Sequence, residues 1–548
     1  MGTKVVIVGG VAAGASTAAR LRRMDENAQI IMFEKGEHIS FANCGLPYYV
    51  GGVIQQRKKL LVQTPKSMYS RFNIDIRVMS EVVKINTQEK TVEVKELLTG
   101  KIYTETYDKL VLCPGASPKI PDIPGVNKAN VFLVRNIPDS DMIKGYIEEQ
   151  KPQNAVIIGA GYIGMEMAEM LLHSGLKISV IEAAPQILGP LDPDMAKIAE
   201  KYIKEQEINL FTNQIVTSLE GEDQVQQVVL SDGTRIPADL VVLGIGVKPE
   251  TKLAADAGIA LGETGAIQVD EYLRTSAPDV YAAGDAIQVK DFVTGDNIHL
   301  PLAGPANRQG WLIANNICGK QLKYHGAQGT SIVKILDMVA ANTGKNEKTL
   351  KAAGIDYRVC HTHPASHATY YPGSTEMTIK MLFTPDEGKI LGAQIVGYDG
   401  VDKRIDVIAT AIRAGMNVFD LQEIELAYAP PFSSAKDPVN MTAYVAGNIV
   451  NGMVEAICWE EVPERIGVGS FLLDVRTVPE YKAGAAYDAY NIPLDEIRDR
   501  MEEIPKDKEI MLYCRAGLRS YIGCRILLQH GYKVKNISGG YLTYEALV

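Results

Sequence analysis

The sequence predicts an α/β protein of several domains, and three observations support this. A strand–turn–helix–strand signature with closely spaced glycines is written twice before Glu182. From about residue 330 the texture changes to alternating, half-exposed strands followed by a helix-like stretch. From Ile466 a further short strand–helix pattern begins. At 548 residues the chain exceeds what one hydrophobic core can organise, so several cores are expected.

The repeated unit pairs Lys4-Val-Val-Ile-Val-Gly-Gly-Val-Ala-Ala-Gly14 with Asn154-Ala-Val-Ile-Ile-Gly-Ala-Gly-Tyr-Ile-Gly164. Each β-branched run leads through glycines into a helix. A second apolar run then ends in an acid, Glu34 in the first copy and Glu182 in the second. A helix N-terminus with free amides receives a pyrophosphate, glycines let the backbone approach it, and the distal carboxylate accepts ribose hydroxyls. The second copy predicts a nucleotide site at Gly159, Gly161, Tyr162, Ile163, Gly164 and Glu182. The first predicts one at Gly9, Gly10, Ala13, Gly14, Glu34 and Lys35, although Val11 takes the central glycine position. Asp279-Val-Tyr-Ala-Ala-Gly-Asp285 adds a third strand and turn, and Gly284 and Asp285 are placed to hold the ribityl chain of FAD, with Gly115 joining that site. Glu182 is followed by Ala183-Ala-Pro, with no cation for a 2′-phosphate, which favours NADH over NADPH.

The expected boundaries are an FAD-binding domain at 1–150 with a return segment at 279–330, an NADH-binding domain at 151–278, an α+β domain at 331–450, an acidic linker at 451–465, and a small α/β domain at 466–548. A net charge of −10 leaves no basic footprint for nucleic acid. No apolar run reaches the length of a membrane span, and the glycines of the first loop argue against a signal peptide. Seven irregularly spaced cysteines form no disulfide framework, so a reducing, cytoplasmic setting is expected. Neither Cys113, Cys318, Cys360, Cys458 and Cys524 nor His361, His363 and His367 make a metal-ligand pattern; the histidines read as a loop near the active site.

Residues 1–450 resemble the flavoprotein disulfide reductases with two Rossmann-like dinucleotide-binding domains and an α+β dimerisation domain. Ser40-Phe-Ala-Asn-Cys-Gly-Leu-Pro-Tyr-Tyr49 is similar to their single-cysteine branch, which contains coenzyme A disulfide reductases, NADH oxidases and NADH peroxidases. The resemblance makes Cys44 the redox thiol, and no second cysteine follows within reach in sequence. Such a thiol is expected to have a lowered pKa. Arg20, Arg22 and Arg23 form a basic cluster suited to coenzyme A phosphates; Arg20, Arg23, Ser40, Asn43, Asn307 and Arg308 match substrate contacts of the family. His367-Ala-Thr-Tyr-Tyr-Pro-Gly373 and Ala427-Tyr-Ala-Pro-Pro-Phe-Ser433 resemble segments that place two tyrosines in the partner's site. By position these are Tyr370, with Tyr371 as its rival, and Tyr428, which implies an obligate homodimer.

Leu512-Tyr-Cys-Arg-Ala-Gly-Leu-Arg-Ser520 resembles the rhodanese active-site loop and implies a C-terminal rhodanese-like α/β domain. Cys514 would carry sulfur, with Arg515, Ala516, Gly517, Leu518 and Arg519 curling their amides toward it. Asp474-Val-Arg476 and Tyr490-Asn-Ile-Pro-Leu494 fit the same family, while Ala485-Ala486 departs from its usual Gly-His pair. Together the two halves imply an NADH-dependent coenzyme A disulfide or persulfide reductase. The competing expectations are an NADH oxidase or peroxidase cycling Cys44 through sulfenic acid, and a sulfurtransferase or sulfur sensor centred on Cys514.

Overall fold

The structure is a computed structural model describing residues 2–548. It divides into two compact units: the chain up to Pro185 together with Ile208–Ala327, and Gln186–Glu207 together with Gln328–Val548.

In the first unit, runs of β-branched residues form two parallel sheets whose strands are buried almost throughout, as sheets covered on both faces must be. Lys4–Val8 lies at the centre of one, between Gln29–Phe33 and Lys109–Leu112, with Asp75–Arg77 and the returning strand Val280–Ala282 outermost. Asn154–Ile158 is central in the other, between Lys177–Ile181 and Leu240–Leu243. An edge of that second sheet is Val131–Phe132, upstream of the boundary expected at residue 151. Two residues are too few to show a period, so the sequence pattern misses this strand.

Both glycine turns are imposed by sterics. Gly9 and Gly159 have φ of +98° and +104°, where a side chain is strained. A Cβ on Gly14 would come within 1.9 Å of Gly9 O, and one on Gly164 within 1.9 Å of Gly159 O. Gly161 differs: its φ is −77°, and a Cβ there would meet nothing within 4 Å. The central glycine is therefore not a folding requirement, which explains why Val11 is tolerated at the matching place of the first copy.

The second unit holds two more five-stranded sheets. One is antiparallel, in the order Ser331–Ile335, Met338–Gly344, Ile390–Gly397, Met377–Phe383, Arg358–Thr362, and the helix Val401–Ala414 packs on it. The other is parallel, in the order Ala456–Ile457, Lys533–Ile537, Glu509–Tyr513, Phe471–Asp474, Tyr490–Asn491. Its first strand corrects the expected linker at 451–465. The acids Glu455, Glu460 and Glu461 face solvent, but Ile457, Trp459 and Val462 alternate inward, and Trp459 Nε1 donates to Gly540 O at 2.8 Å. The acidity had masked an apolar pattern.

The helix Pro193–Glu205 falls by sequence within the second nucleotide unit but groups with these later sheets. Lys380, fully buried, places Nζ 2.8 Å from both carboxylate oxygens of Asp194, 3.1 Å from Asp192 and 2.5 Å from Glu347. Asp194 also meets His361 Nε2 at 2.6 Å, and Ser538 Oγ lies 2.9 Å from His361 Nδ1. One buried charge network thus joins the helix and both sheets. Its three carboxylates lie close enough for a metal ion, but Lys380 supplies the cation.

The contrast between glycines is testable. Gly164→Ala forces a backbone overlap and lowers the thermal midpoint, at about 1–3 kcal/mol for overpacking. Gly161→Ala leaves the midpoint unchanged; scanning calorimetry of the two variants reads the difference, and equal midpoints would refute the steric argument.

Candidate functional site

A cavity of about 770 Å³ opens at the carboxyl ends of the first sheet, a volume within the range of cofactor sites. Gly9, Ala13, Gly14, Glu34, Lys35, Gly115, Gly284 and Asp285 all line it. Glu34 braces the turn, its two oxygens accepting from the amides of Gly10 and Gly36 at 2.8 Å each. Gly10 serves packing: a Cβ there would lie 2.7 Å from Ile39 Cγ2. Burial holds the Asp285 carboxyl above its ordinary value, with Arg135 and His299 opposing. Arg135 also lines this cavity, and its position in sequence gave no sign of that. A turn opened by Gly9 and Gly14, the braced acid Glu34 and a second acid, Asp285, line a cradle that fits FAD.

The second turn repeats this arrangement. Glu182 accepts from the amides of Ala160 and Ala184 at 2.7 and 2.9 Å, so its negative charge is held at the mouth of the turn. Tyr162, Ile163 and Gly164 open the helix Tyr162–His173, whose amides face that turn. The carboxylate would repel a 2′-phosphate.

Cys44 sits in the 3₁₀ turn Asn43–Gly45, which leads into the short helix Leu46–Val50. It is exposed to a second cavity of about 540 Å³ that Arg23, Ser40, Asn43 and Asn307 also line. Arg20 and Arg308 flank Trp311 of the same cavity, their guanidinium carbons 5.1 and 4.8 Å from its ring. Trp311 was not foreseen, since a tryptophan on an amphipathic helix reads as core. The fold thus brings four of the six expected substrate residues to the wall of one cavity and the other two, Arg20 and Arg308, against its Trp311, but not Arg22. That side chain is buried and donates to the carbonyls of Asp25, Glu26, Phe72 and Asn73, so it caps structure rather than binding ligand. Asn43 Oδ1 is buried without a hydrogen-bond partner and is an acceptor left for a ligand.

The thiol departs from expectation. Burial raises the Cys44 pKa, the carboxylates of Glu166 and Asp285 raise it further, and only the residue's own amide lowers it. Glu166 reaches the site because Leu46–Val50 packs on Tyr162–His173; Tyr48 donates to it at 3.3 Å. Burial pushes the Glu166 carboxyl up to about 7. On the sequence, Glu166 reads as one more polar residue of a nucleotide-binding helix.

In the second unit the phenol oxygens of Tyr370 and Tyr428 lie 2.8 Å apart on exposed loops. Tyr371 instead stacks edge-on against His367. Arg404, 2% exposed, ties the two loops together: its Nη2 donates to Ser366 O at 2.8 Å and to Phe432 O at 3.3 Å, and pairs with Asp437 at 3.2 Å. Ser433 donates to the same carboxylate at 2.6 Å.

Cys514 directly follows the strand Glu509–Tyr513 and is almost fully buried. The Gly517 amide donates to its sulfur at 3.1 Å and Ser520 Oγ lies 3.6 Å away. Gly517 has φ +106°, the conformation the curl requires. Arg519 forks onto Glu480 at 2.7 and 2.6 Å, and that hydrogen bonding holds the Glu480 carboxyl down at about 2. Arg515 forks onto Glu376 at 3.0 and 3.1 Å. Glu480 is legible in the sequence only as the end of a helix capping box with Thr477.

Elsewhere, burial pushes the Cys113 and Cys360 thiols up to about 12, an inert environment. His361 and His363 lie at the end of a strand. They contact Ser538, just past the strand Lys533–Ile537, and Thr543 of the helix Gly540–Leu547, so they join domains rather than form a catalytic loop.

Comparison with known proteins places this geometry. Residues 3–310 match the family described as pyridine nucleotide-disulphide oxidoreductase, residues 330–438 its dimerisation domain, and residues 459–547 the rhodanese-like domain. The chain is 35% identical over 449 residues to a coenzyme A disulfide reductase of Staphylococcus epidermidis, covering 81% of this chain and 99% of that one. The crystal structure of reduced Bacillus anthracis CoADR-RHD superposes with a TM-score of 0.98 at 51% identity, covering 100% of this chain and 98% of the other. An NAD-dependent persulfide reductase from A. fulgidus gives a TM-score of 0.92 at 37% identity, covering 99% and 100%.

Two predictions come from the site. Above its titration Glu166 carries a charge that opposes ionisation of Cys44, so Glu166→Gln moves the pH profile of Cys44 alkylation to lower pH; an unmoved profile removes Glu166 from the electrostatics. Arg404→Leu takes from buried Asp437 its buried cationic partner, leaving Ser433 and the more distant Lys403, and costs about 3 kcal/mol in chemical unfolding. The double variant Arg404→Leu/Asp437→Leu recovers most of that loss, and failure to recover would mean the pair is not the link.

Proposed function

Since the chain belongs to the pyridine nucleotide-disulphide oxidoreductase family, we propose that it uses NADH to reduce coenzyme A disulfide and coenzyme A persulfide at Cys44, with Cys514 carrying sulfane sulfur. The observation that carries this reading is a solitary thiol at the mouth of a cavity, with Arg23 lining it and Arg20 and Arg308 braced on the Trp311 that also lines it. Three guanidinium groups suit the phosphates of a coenzyme A moiety.

Bound FAD supplies the two-electron relay between nicotinamide and sulfur. The protein does the rest. The Gly159 turn and Glu182 orient the dinucleotide, and the acid's charge favours NADH over NADPH. The Cys44 thiolate attacks the incoming disulfide, one coenzyme A thiolate leaves with the bonding pair, and the resulting mixed disulfide takes two electrons and a proton to release the second thiol. A persulfide gives sulfide in place of one thiol. Tyr370 and Tyr428, delivered from the partner subunit of a homodimer, donate to the departing thiolate, much as an oxyanion hole does. Their mutual hydrogen bond and the Arg404 tie support this reading, because a paired, braced donor loses little entropy on meeting its acceptor.

A cytoplasmic location suits a chemistry that needs free thiols, and no helix among the described residues is long and apolar enough to cross a membrane.

NADH oxidation with coenzyme A disulfide, coenzyme A persulfide, hydrogen peroxide and oxygen, compared side by side, tests the proposal. The two sulfur compounds drive turnover, and Cys44→Ser lowers it roughly a thousandfold or more. Faster turnover with peroxide or oxygen would move the assignment to the oxidase and peroxidase branch. Full activity in the serine variant would end it.

A further inference from the structure

In the loop after Cys514, and against the ring of the Tyr513 that precedes it, three arginines each meet a carboxylate. Arg519 forks onto Glu480, Arg476 onto Asp474 with contacts of 2.7 to 3.1 Å, and Arg515 onto Glu376 at 3.0 and 3.1 Å. The first two carboxylates belong to the rhodanese-like domain itself. Glu376 does not: it comes from the segment just before the strand Met377–Phe383 of the antiparallel sheet. The nearby His363 adds no charge, because burial holds its imidazole down to about 3. The two arginines of the loop, Arg515 and Arg519, are therefore each paired with a carboxylate, and Leu518, which lies between them in sequence, is 69% exposed.

We infer that Glu376 is a specificity residue of the Cys514 site: by occupying Arg515 it disfavours dianionic sulfur donors such as thiosulfate and leaves the loop selective for organic persulfides. The inference rests on the reading of Cys514 as a sulfur carrier. A bidentate carboxylate satisfies the planar fork that would otherwise recognise an oxyanion. A persulfide needs no such cation. The Cys514 thiolate attacks the outer sulfur of R–S–SH, the S–S bond of the donor breaks, R–S⁻ leaves with the bonding pair, and the proton stays on the transferred sulfur, giving Cys514–S–SH with charge and electrons balanced. The Gly517 amide, 3.1 Å from the sulfur, stabilises the sulfur anion, and exposed Leu518 offers apolar surface to an organic arm. With thiosulfate the same attack expels sulfite, whose double charge meets loop guanidinium groups already paired with carboxylates.

The test uses the full-length protein and reads sulfur transfer to cyanide from two donors, thiosulfate and pantetheine persulfide. In the native protein kcat/KM is higher with the persulfide. Glu376→Gln, at an exposed position, raises kcat/KM for thiosulfate about tenfold and changes the persulfide value less than twofold; Arg515→Gln in the same chain abolishes the gain. An unchanged thiosulfate rate in Glu376→Gln, or an equal rise with both donors, overturns the inference while leaving Cys514 a carrier. Mass spectrometry that finds no added sulfur on Cys514 from either donor, in either protein, overturns the carrier reading and this inference with it.

Discussion

The chemistry of this chain depends on one backbone constraint: a buried parallel strand that ends must turn at once into a helix. After Val8, Ile158 and Tyr513 the chain reverses within a few residues, and the amides of the turn and the first helical turn converge on a point in front of the strand. Glycines with positive φ, Gly9, Gly159 and Gly517, make the reversal possible. The nucleotide-shaped turns and the sulfur-holding loop are the same solution at different sizes. What distinguishes them is the side chain at the focus: an acid bracing a cradle in two cases, a thiol in the third.

The two reactive sulfurs sit in different electrostatic settings. Cys44 is accessible but opposed by burial and by two carboxylates, so the polypeptide alone does not favour its thiolate. One of those carboxylates, Glu166, stands on the helix Tyr162–His173 after the second glycine turn, where burial pushes its carboxyl up to about 7. The packing that seats Cys44 thus also links it to the helix on which reductant is expected to bind. Cys514 is nearly inaccessible, yet receives an amide and a hydroxyl directly.

The later domains are held by buried charge rather than by apolar surface alone. Lys380 gathers Asp192, Asp194 and Glu347, and Asp194 passes the contact through His361 to Ser538 beside the sulfur loop. From there Tyr541 N donates to Cys514 O at 2.7 Å. A network of this kind is costly to desolvate and tolerates no missing partner, which makes the relative placement of its elements specific. Arg404 plays a similar part for the loops of Tyr370 and Tyr428.

The sequence by itself determined the class of fold, the doubled turn and the curl after Cys514, because each is written in contiguous residues: a β-branched run, a glycine spacing, a six-residue loop; Cys44 stood out by family resemblance. It misplaced the start of the last domain, where exposed acids hid the inward face of Ile457, Trp459 and Val462, and it took Arg22 for a ligand when its guanidinium satisfies four carbonyls. Only the tertiary structure decided which charges meet. Glu166 beside the Cys44 segment, Arg404 between two loops and Glu376 on Arg515 are partnerships across tens to hundreds of residues. Charge pairing depends on distance in space, and that distance exists only once the packed strands and helices have fixed it.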